Sequence, residues 1–560
     1  MNMVPRFDKP GRILRKIAVV ALVLLLANPS VAQTRDVASY VSTSEGVARR
    51  DVARYVSASQ AAQDQKAPQA QKPQPHPDQK REAPEESQTK ITPEEAQELF
   101  RSVDEILNFV SKDTKLPIKS TVKRELVGRE QVRNFVLTHM QEDKDALRLQ
   151  RSEASMKKFG LLPQEFDLRK FLVDLMEDQV AGYYDPKTKT VYLLDWVTAE
   201  AQRPVLAHEL THALQDQNFG LEKWLKVRDE DPQVDPDKLD AGPDEEQSAR
   251  QAVSEGQGMA VMMDYVLEPS GHSLADMPAM GEIFKQNTLD RTGDSPIFAS
   301  APLYLREMVI FPYTYGLSFL EDLLSRGGKE MAFAGAFKNP PHDTREIMQP
   351  DSYLDGQHVD PMRLPKLSDL LKKNYVGYDS GAVGEFDVYI LLKQYSGPDL
   401  AERLSQAWRG GVYYLGRKKE AKPAKADAPI PMSDLGLLYV SNWATPEDAG
   451  YFAKTYSLWL PKKYKSVTPV AEQKGRAWNT EQGPVSIDVA GNRVLVMEGF
   501  DSATAAAVRA KVLGAPAASE WMPLPHRDLA TPVWATLGIL RGGWHPEPVE
   551  GRLFEPKDVR

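Results

Sequence analysis

The chain has 560 residues, of which 41% are hydrophobic, so it is long and apolar enough for about two to four domains with hydrophobic cores. Its formal net charge of −9 excludes the strongly basic surface that a nucleic-acid-binding protein needs, and we expect no nucleic-acid partner. It contains no cysteine, which excludes disulfide bonds and lipid anchors attached through a cysteine.

Residues 1–32 have the features of a bacterial export signal. An apolar run from Ile17 to Ala27 is too short to span a bilayer comfortably, and small residues follow at the cleavage positions, Ser30 to Ala32. The segment before the run is basic, with Arg6, Lys9, Arg12, Arg15 and Lys16. We therefore expect a periplasmic or secreted protein with no stable membrane span after signal cleavage. The alternative is an inner-membrane protein anchored by an uncleaved signal.

Residues 33–91 are predicted to be a disordered tail rich in Gln, Pro and Ala, because such a composition cannot bury a core. Within the tail, the segment from Arg35 to Ser42 returns in similar form from Arg50 to Ser57. Two copies are too few for a repeat architecture. We interpret them as a local duplication in a linker, with short docking helices as the alternative.

The folded part is predicted to begin at Thr92. A threonine followed by Pro93 and then by Glu95 is typical of a helix N-terminus, with the threonine as the cap. Further along, residues 180–194 predict a β-hairpin, since two apolar and aromatic arms flank an Asp-Pro-Lys turn.

The central motif of the chain is His208-Glu209-Leu-Thr-His212, and the apolar residues around it recur at helical spacing. Pro204 suits the first turn of this helix. Two histidines four positions apart project from one face, so both can reach one zinc ion at about 2.0–2.1 Å. Glu209 then lies beside the metal, where it can take a proton from water as general base. The alternative is a scaffold helix with two hydrogen-bonded histidines and a solvated glutamate.

A catalytic zinc site needs a third protein ligand. A ligand in the following turns of the same helix is excluded, because the positions for a glycine and a third histidine hold Gln215 and Asn218. The segment from Ala249 to Met263 is strongly apolar around Glu255, and a carboxylate there is costly unless it is paired or coordinated. Glu255 is therefore the predicted third ligand of one zinc ion per chain. In the alternative, Glu255 caps or salt-bridges a core helix.

The acidic, proline-containing segment from Asp229 to Glu246 is predicted to be a loop that joins the two metal-bearing helices. Glu245, near the end of this segment, could lie over the zinc histidines as a hydrogen-bond partner. A solvated position at a helix N-terminus is the preferred interpretation.

The combination of His208-Glu209-x-x-His212 with Glu255-Gly256 on a second helix resembles the gluzincin metallopeptidases. The resemblance implies an α+β fold, with a thermolysin-like zinc domain over residues 92–370 that is mostly helical and has a small antiparallel sheet. In gluzincins an edge strand lies beside the metal cleft and pairs with extended substrate. By that resemblance the candidate substrate-binding residues form the second arm of the predicted hairpin: Thr190, Val191, Tyr192, Leu193 and Leu194. An ordinary core hairpin is the alternative.

Aminopeptidase-type gluzincins also place a Y-x-x-G segment after the glutamate helix, with the tyrosine hydroxyl facing the developing oxyanion. Tyr313 occupies that place here, followed by Gly316, on a helix expected to end at Gly327-Gly328. The alternative for Tyr313 is an ordinary position in the core of the helix.

The segment from Asn339 to Ile347 is similar to the P-P-x-S-T-E-Q segment of uncharacterised bacterial gluzincin-like proteins. It departs from that pattern because Asp343 replaces the serine and Arg345-Glu346 shift the polar pair. His342 in this segment is a second candidate for a donor to the oxyanion, with an ordinary loop position as the alternative.

Residues 371–515 are predicted to form a smaller α/β accessory domain, which supports the catalytic domain or selects substrate. Its predicted elements are a helix at 384–392, strands at 408–414 and 437–443, a helix capped by Thr445, a hairpin at 485–498 around Gly491-Asn492, and a helix from Ser502. The uncharacterised group shows similar elements, so the resemblance covers roughly residues 95–510. Residues 516–560 are predicted to be an irregular C-terminal segment.

The predicted function is zinc-dependent hydrolysis of peptide bonds in exported or envelope-located proteins or peptides. The alternative is a catalytically silent binding protein of the cell envelope that keeps the same fold. The sequence has no G-x-M-E-N-type anchor for a substrate amine, which favours internal cleavage over aminopeptidase action. The substrate and the oligomeric state are left open by the sequence.

Overall fold

The computed structural model describes residues 91–514, except 133–142, 180–181, 228–233, 240–241, 278, 292–294, 361, 422–429 and 472–475. The predicted export signal, all but the last residue of the predicted tail, and the predicted C-terminal segment lie outside the described residues. Within the described part, no helix is both long enough and apolar enough to cross a membrane. Helices and two β-sheets are combined, in agreement with the predicted α+β class.

The first part of the described chain is mainly helical. Its α-helices are α1 (Pro93–Thr114), α2 (Asp143–Phe159), α3 (Leu168–Gln179), α4 (Ala199–Phe219), α5 (Leu221–Trp224), α6 (Gly242–Leu267), α7 (Met280–Arg291), α8 (Pro296–Ser300), α9 (Leu303–Glu330), α10 (Ala336–Lys338), α11 (Thr344–Met348), α12 (Pro350–Leu354) and α13 (Ser368–Leu371). Shorter turns connect α6 to α7, at Glu268–Ser270 and Leu274–Asp276, and a π-helical turn at Met331–Gly335 follows α9.

Helix α1 begins as the sequence predicts. The Thr92 hydroxyl accepts from Glu95 N at 3.2 Å, and the Glu95 carboxylate accepts from Thr92 N at 2.7 Å. Two backbone N–H groups that the first helical turn leaves unpaired are satisfied in this way. The predicted helix start, with Thr92 as the cap, is confirmed.

A small sheet consists of β1 (Lys123–Val127), β2 (Tyr183–Asp185) and β3 (Thr190–Leu194), in the order β1-β3-β2. Strands β2 and β3 are antiparallel, so the predicted hairpin is confirmed, while β1 pairs with β3 in parallel. Strand β3 therefore lies in the centre of the sheet. Its prediction as a substrate-binding edge strand is wrong, because β1 and β2 already occupy both sides of its backbone. The edge strand that contacts α4 is β2, and the other edge strand, β1, contacts α1.

Helix α6 packs between α4 and α9, and its contact with α9 depends on two glycines. A β-carbon at Gly256 would lie 2.4 Å from the carbonyl of Gly316, and one at Gly316 would lie 2.2 Å from the Ala252 oxygen. The two backbones therefore meet directly at this point. Helix α9 is interrupted at Gly328, which has a φ of 63°, where the sequence predicts its end.

The second part of the described chain is organised around a seven-stranded sheet. Its strands are β4 (Tyr375–Ala382), β5 (Trp408–Lys418), β6 (Leu435–Trp443), β7 (Val467–Pro469), β8 (Ala477–Thr480), β9 (Gly483–Ala490) and β10 (Arg493–Glu498), and its helices are α14 (Glu385–Ser396), α15 (Pro398–Ser405), α16 (Pro446–Lys463) and α17 (Ser502–Leu513). The strand order is β4-β5-β6-β10-β9-β8-β7, and all neighbours are antiparallel.

The predicted elements of this second part are confirmed. Thr445 caps α16 by accepting from Asp448 N at 3.1 Å, and β9 and β10 form the hairpin around Gly491. The sequence pattern finds these elements because alternating burial and tight turns are local signals. The described helices and both sheets belong to one compact unit.

We expect Gly256→Ala to destabilise the protein, because its new methyl group would meet the backbone of α9 rather than a flexible side chain. Overpacking of this kind typically costs about 1–3 kcal/mol of unfolding free energy. The matched control is Gly450→Ala in helix α16, where a β-carbon would meet no atom within 4 Å. That control should gain about 0.5–1 kcal/mol from helix propensity. Denaturant unfolding measures the free energy of unfolding of both variants. Equal changes in Gly256→Ala and Gly450→Ala would contradict the close contact between Gly256 and Gly316.

Candidate metal centre

Helix α4 carries the central motif through the interior of the helical part, and every side chain from Val205 to Asp216 is buried. The Thr198 side chain caps its first turn, and Gly220, in the left-handed conformation, ends it. Pro204 lies inside the helix rather than in its first turn, so that prediction is wrong by about one turn. The helix starts earlier because Thr198 supplies a cap before the proline is reached.

The two histidines of the motif meet the carboxylate of Glu255 on α6. His208 Nε2 lies 3.2 Å from Glu255 Oε2, His212 Nε2 lies 3.3 Å from it, and the two Nε2 atoms are 3.1 Å apart. All three side chains are buried, with at most 4% of each residue exposed. The structure thus brings together the three predicted ligands in a buried group that could hold a metal ion.

The triangle formed by these three atoms fits a tetrahedral ion. Zinc binds imidazole nitrogen and carboxylate oxygen at about 2.0–2.2 Å, and the edge of a tetrahedron is about 1.63 times that length, or about 3.3–3.6 Å. The observed edges of 3.1–3.3 Å need only a small outward adjustment. Among the described residues the group consists of these three donors, so a tetrahedral ion bound by them would have one further position for another ligand.

The positions of the histidine rings depend on groups around them. His212 Nδ1 lies 2.8 Å from Gln215 Oε1 and 3.3 Å from Ser254 Oγ. Gln215 Nε2 donates in turn to the side chain of Gln257 at 3.0 Å. Such partners fix the ring orientation and tautomer of a ligating histidine. The sequence analysis missed these residues, although Gln215 follows His212 by one helical turn and Ser254 precedes Glu255.

The ring of His208 has room because residue 258 is a glycine. A β-carbon at Gly258 would lie 2.6 Å from the His208 Cε1 atom and 2.7 Å from its Nδ1 atom. The sequence Glu255-Gly-Gln-Gly258 therefore combines a ligand with two positions that must lack a side chain: Gly256 faces α9 and Gly258 faces the histidine.

Glu209 lies beside the three donors and is 1% exposed. Its Oε2 atom accepts from the backbone N–H of Tyr184 on β2 at 2.8 Å. Its Oε1 atom is buried and has no hydrogen-bond partner among the described residues. Burial raises the pKa of this carboxyl to about 8. A buried carboxylate oxygen without a partner is costly, which is consistent with a site built to receive a further group.

The hairpin that supplies Tyr184 is fastened to α4 through Asp216. The Tyr184 hydroxyl donates to Asp216 Oδ2 at 2.9 Å, and Lys189 Nζ forms an ion pair with the same oxygen. Because Asp216 lies one turn beyond His212, helix α4 also positions the strand that contacts Glu209. Tyr184 and Asp216 are further residues that sequence reasoning missed, since their pairing joins two separate elements.

The charges in the cluster are strongly coupled. Burial alone would raise the pKa of Glu255, but His212 and His208 lower it to about 2. Burial alone would lower the pKa of His212, but Glu255 raises it to about 9. The pKa of His208 is lowered, chiefly by burial. Attraction between Glu255 and His212 therefore favours the charged form of both groups, and a bound cation would compete with a proton for the His212 ring.

Tyr313 of α9 is brought to the cluster as predicted. Its ring is completely buried and stacks against His208, with ring centroids 6.1 Å apart. Burial raises the pKa of its hydroxyl well above the usual value, and the charges of Glu255 and Glu209 raise it further. The hydroxyl is therefore neutral and remains a hydrogen-bond donor at every physiological pH.

Two other predicted positions are corrected. His342 does not join the His208 cluster, because its imidazole pairs with Glu346 and His358 instead. Glu245 lies in helix α6, which begins within the predicted loop, and it is neither solvated nor placed over the zinc histidines. It is 5% exposed, and its Oε2 atom accepts from Thr344 N at 3.0 Å and Thr344 Oγ1 at 2.7 Å.

Residues 373–509 match the model of a domain of unknown function, DUF8575. The match covers the part of the chain built on the seven-stranded sheet and none of the residues of the metal cluster. No curated protein and no solved structure matches the chain.

We expect the metal content of the purified protein to depend on each of the three ligands. Replacing His208, His212 or Glu255 by alanine should weaken retention of a metal ion by more than about tenfold, since loss of a supporting partner alone costs about 10–100-fold. Mass spectrometry of metal content after extensive desalting measures this. The matched control is Glu246→Ala, which removes a carboxylate of α6 that pairs with Arg250. Loss of metal in the control, or retention in Glu255→Ala, would contradict the ligand assignment.

A second prediction concerns Glu245, whose pKa burial raises from 4.5 to about 8. Between pH 4.5 and about pH 8, Glu245 is protonated in the folded protein but ionised in the unfolded chain. The free energy of unfolding should therefore fall as pH rises through this window. Glu245→Gln mimics the protonated acid and cannot ionise. We expect it to match wild type near pH 5 and to exceed it by on the order of 1–3 kcal/mol near pH 9.

Denaturant unfolding at the two pH values tests this prediction for Glu245→Gln. The neighbouring Glu246→Gln serves as control, because that side chain is only partly buried and pairs with Arg250 on the surface. The difference in unfolding free energy between wild type and Glu245→Gln could also be the same at both pH values. That result would show that folding does not raise the pKa of Glu245 and that its carboxylate is ionised in the folded protein.

Proposed function

We propose that the protein is a zinc-dependent peptidase of the gluzincin type, which hydrolyses peptide bonds in exported or envelope-located proteins or peptides. The observation that carries the proposal is the buried Glu209 carboxylate, which lies beside three converging metal donors without joining them. Oxygen Oε2 is held by Tyr184, and Oε1 has no partner in the described part of the chain. A scaffold helix or a purely structural metal site has no need of such a group.

Zinc is the proposed ion because of the donor set. Two imidazoles and one carboxylate in a tetrahedral arrangement with one open position are the ligand types of catalytic zinc sites. When bound, zinc would lower the pKa of a water molecule and polarise the substrate carbonyl. The ionised form of Glu209 is favoured when a cation lies in the triangle, which counteracts the effect of burial on its pKa.

The residues of the chain divide the remaining tasks. Glu209 Oε1 accepts a proton from the attacking water and passes it to the leaving amine, while Tyr184 N–H holds the other oxygen in place. Gln215 and Ser254 keep His212 in the orientation that leaves Nε2 facing Glu255. We assign Tyr313 as the hydrogen-bond donor to the developing oxyanion, since its hydroxyl stays protonated.

One observation favours a second candidate, a catalytically silent protein in which the metal is structural. The cluster is closed in this structure, because Tyr313, His208, Glu209 and Glu255 are at most 2% exposed. Structural zinc sites are typically closed, whereas peptide hydrolysis requires access to the ion. The proposed function therefore implies an open state, in which elements that cover the cluster move aside.

We expect Glu209→Gln to retain its metal and its fold but to lose peptide cleavage. The amide is nearly the same size and can still accept from Tyr184 N–H, yet it cannot take up a proton at neutral pH. Loss of a general base alone costs about 10²–10⁴-fold in rate. Cleavage of a broad peptide library by the zinc-loaded protein, followed by mass spectrometry, measures the effect.

The outcomes separate the two candidates. Cleavage by wild type that disappears on zinc chelation and in Glu209→Gln supports the peptidase. Cleavage that survives both changes would place the activity elsewhere in the chain. Failure of the metal-loaded wild type to cleave any peptide, together with a large loss of thermal stability on chelation, would favour the structural role.

A further inference from the structure

A second group of potential metal donors lies outside the His208 cluster, at the surface. His342, Glu346 and His358 each place a donor atom within 4.8 Å of the other two. The two imidazole rings have centroids 4.4 Å apart, and His342 Nδ1 lies 3.6 Å from Glu346 Oε2. His358 Nδ1 forms a short hydrogen bond with Glu346 Oε1.

Glu346 is held at the centre of this group by the local fold. The side chain of Asp343 caps α11 and accepts from Glu346 N at 2.9 Å, and Glu346 Oε2 accepts from His342 N at 2.7 Å. The Glu346 side chain is completely buried, although no lysine or arginine of the described residues forms an ion pair with it. A buried carboxylate whose side-chain partners are two surface histidines is an unusual arrangement, since buried charges are normally paired with a permanent cation.

We propose that His342, Glu346 and His358 form a second metal site, which binds a divalent transition-metal ion of the zinc class. Two imidazoles exclude calcium and magnesium as preferred ions, because those ions select oxygen ligands. The proposal does not depend on the peptidase function, and it concerns residues that have no part in the chemistry assigned to Glu209.

Metal binding here requires only a small change. His358 Nδ1 and Glu346 Oε1 are hydrogen-bonded to each other directly, so the ring of His358 must rotate outward for both atoms to bind one ion. The ion then takes the place of this hydrogen bond, with the imidazole binding as the neutral ring. Rotation is available because the side chains of His342 and His358 are 55% and 47% exposed.

The exposure of the two histidines makes this group of donors accessible from solvent. His358 lines a surface cleft of about 330 Å³ together with Arg345 and Arg409. Asp360 also lines this cleft, so its charged groups are of both signs and a water molecule is the expected outer ligand. The site would link α11 and the residue His342 before it to the segment after α12. The hydrogen bond from Arg345 Nη1 to Gln357 O at 3.1 Å already connects α11 to that segment.

Titration of the full chain with Zn²⁺ alone tests the proposal. The protein is produced without a polyhistidine tag, stripped with a chelator, and studied by calorimetry. We expect two equivalents of zinc, of which the double variant His342→Asn/His358→Asn loses one and keeps the other. Both side chains are half-exposed, so the variant should fold normally, and circular dichroism checks this. The matched control is His272→Asn, an exposed histidine outside both groups, which should keep two equivalents.

Each outcome decides the proposal. Binding of a single equivalent by wild type, unchanged in the double variant, would show that His342, Glu346 and His358 are only hydrogen-bonded to one another and bind no metal ion. Two equivalents in the double variant would place the second ion elsewhere. The His208 cluster is intact in every variant used. Failure of the second metal site would therefore leave the peptidase proposal unaffected, and failure of peptide cleavage would leave the second metal site unaffected.

Discussion

The burial of the Glu255 carboxylate against two imidazoles is the interaction on which the helical part depends. A carboxylate deep in a protein costs several kcal/mol unless charged partners compensate it. Here the partners come from another helix, so α4 and α6 must approach closely with His208 and His212 facing Glu255. Gly258 of α6 allows this approach by leaving space for the His208 ring, while Gly256 lets the other side of α6 meet the backbone of α9.

The same helix α4 organises the neighbouring elements. Asp216, beyond the second histidine, holds the β2–β3 hairpin, and this hairpin places a backbone N–H on Glu209. On the opposite side, Glu245 near the start of α6 binds Thr344 of α11. Helix α11 in turn lies against α14, where Phe386 N donates to Thr344 Oγ1 at 3.3 Å. A chain of contacts thus runs from the metal cluster to the part of the chain that carries the seven-stranded sheet.

Local features of this structure can be predicted from the sequence, because their signals span only a few residues. The capping box at Thr92, the hairpin at Gly491 and the two histidines of one helical face are of this kind. Glu255 could be predicted despite its distance along the chain, because an acid within a strongly apolar helix needs a partner. The sequence pattern could not predict the surroundings of Glu209. One of its oxygens accepts from Tyr184 of strand β2 and the other has no partner among the described residues.

The errors of the sequence analysis come from long-range placement. Whether β3 is central or at the edge depends on its parallel pairing with β1, for which a single strand carries no signal. His342 was assigned to the wrong cluster because its partner His358 follows in a separate loop. Glu245 was interpreted as solvated because nothing near it in sequence indicates that Thr344 covers it.

The most direct test of the central claim is the location of a metal ion by anomalous diffraction at the zinc absorption edge, in crystals of the zinc-loaded protein. The account predicts an anomalous peak about 2.0–2.2 Å from His208 Nε2, His212 Nε2 and a carboxylate oxygen of Glu255, with Glu209 outside bonding distance. A zinc-loaded crystal with no peak in this cluster, and with the direct contacts between the histidines and Glu255 still in place, would contradict it.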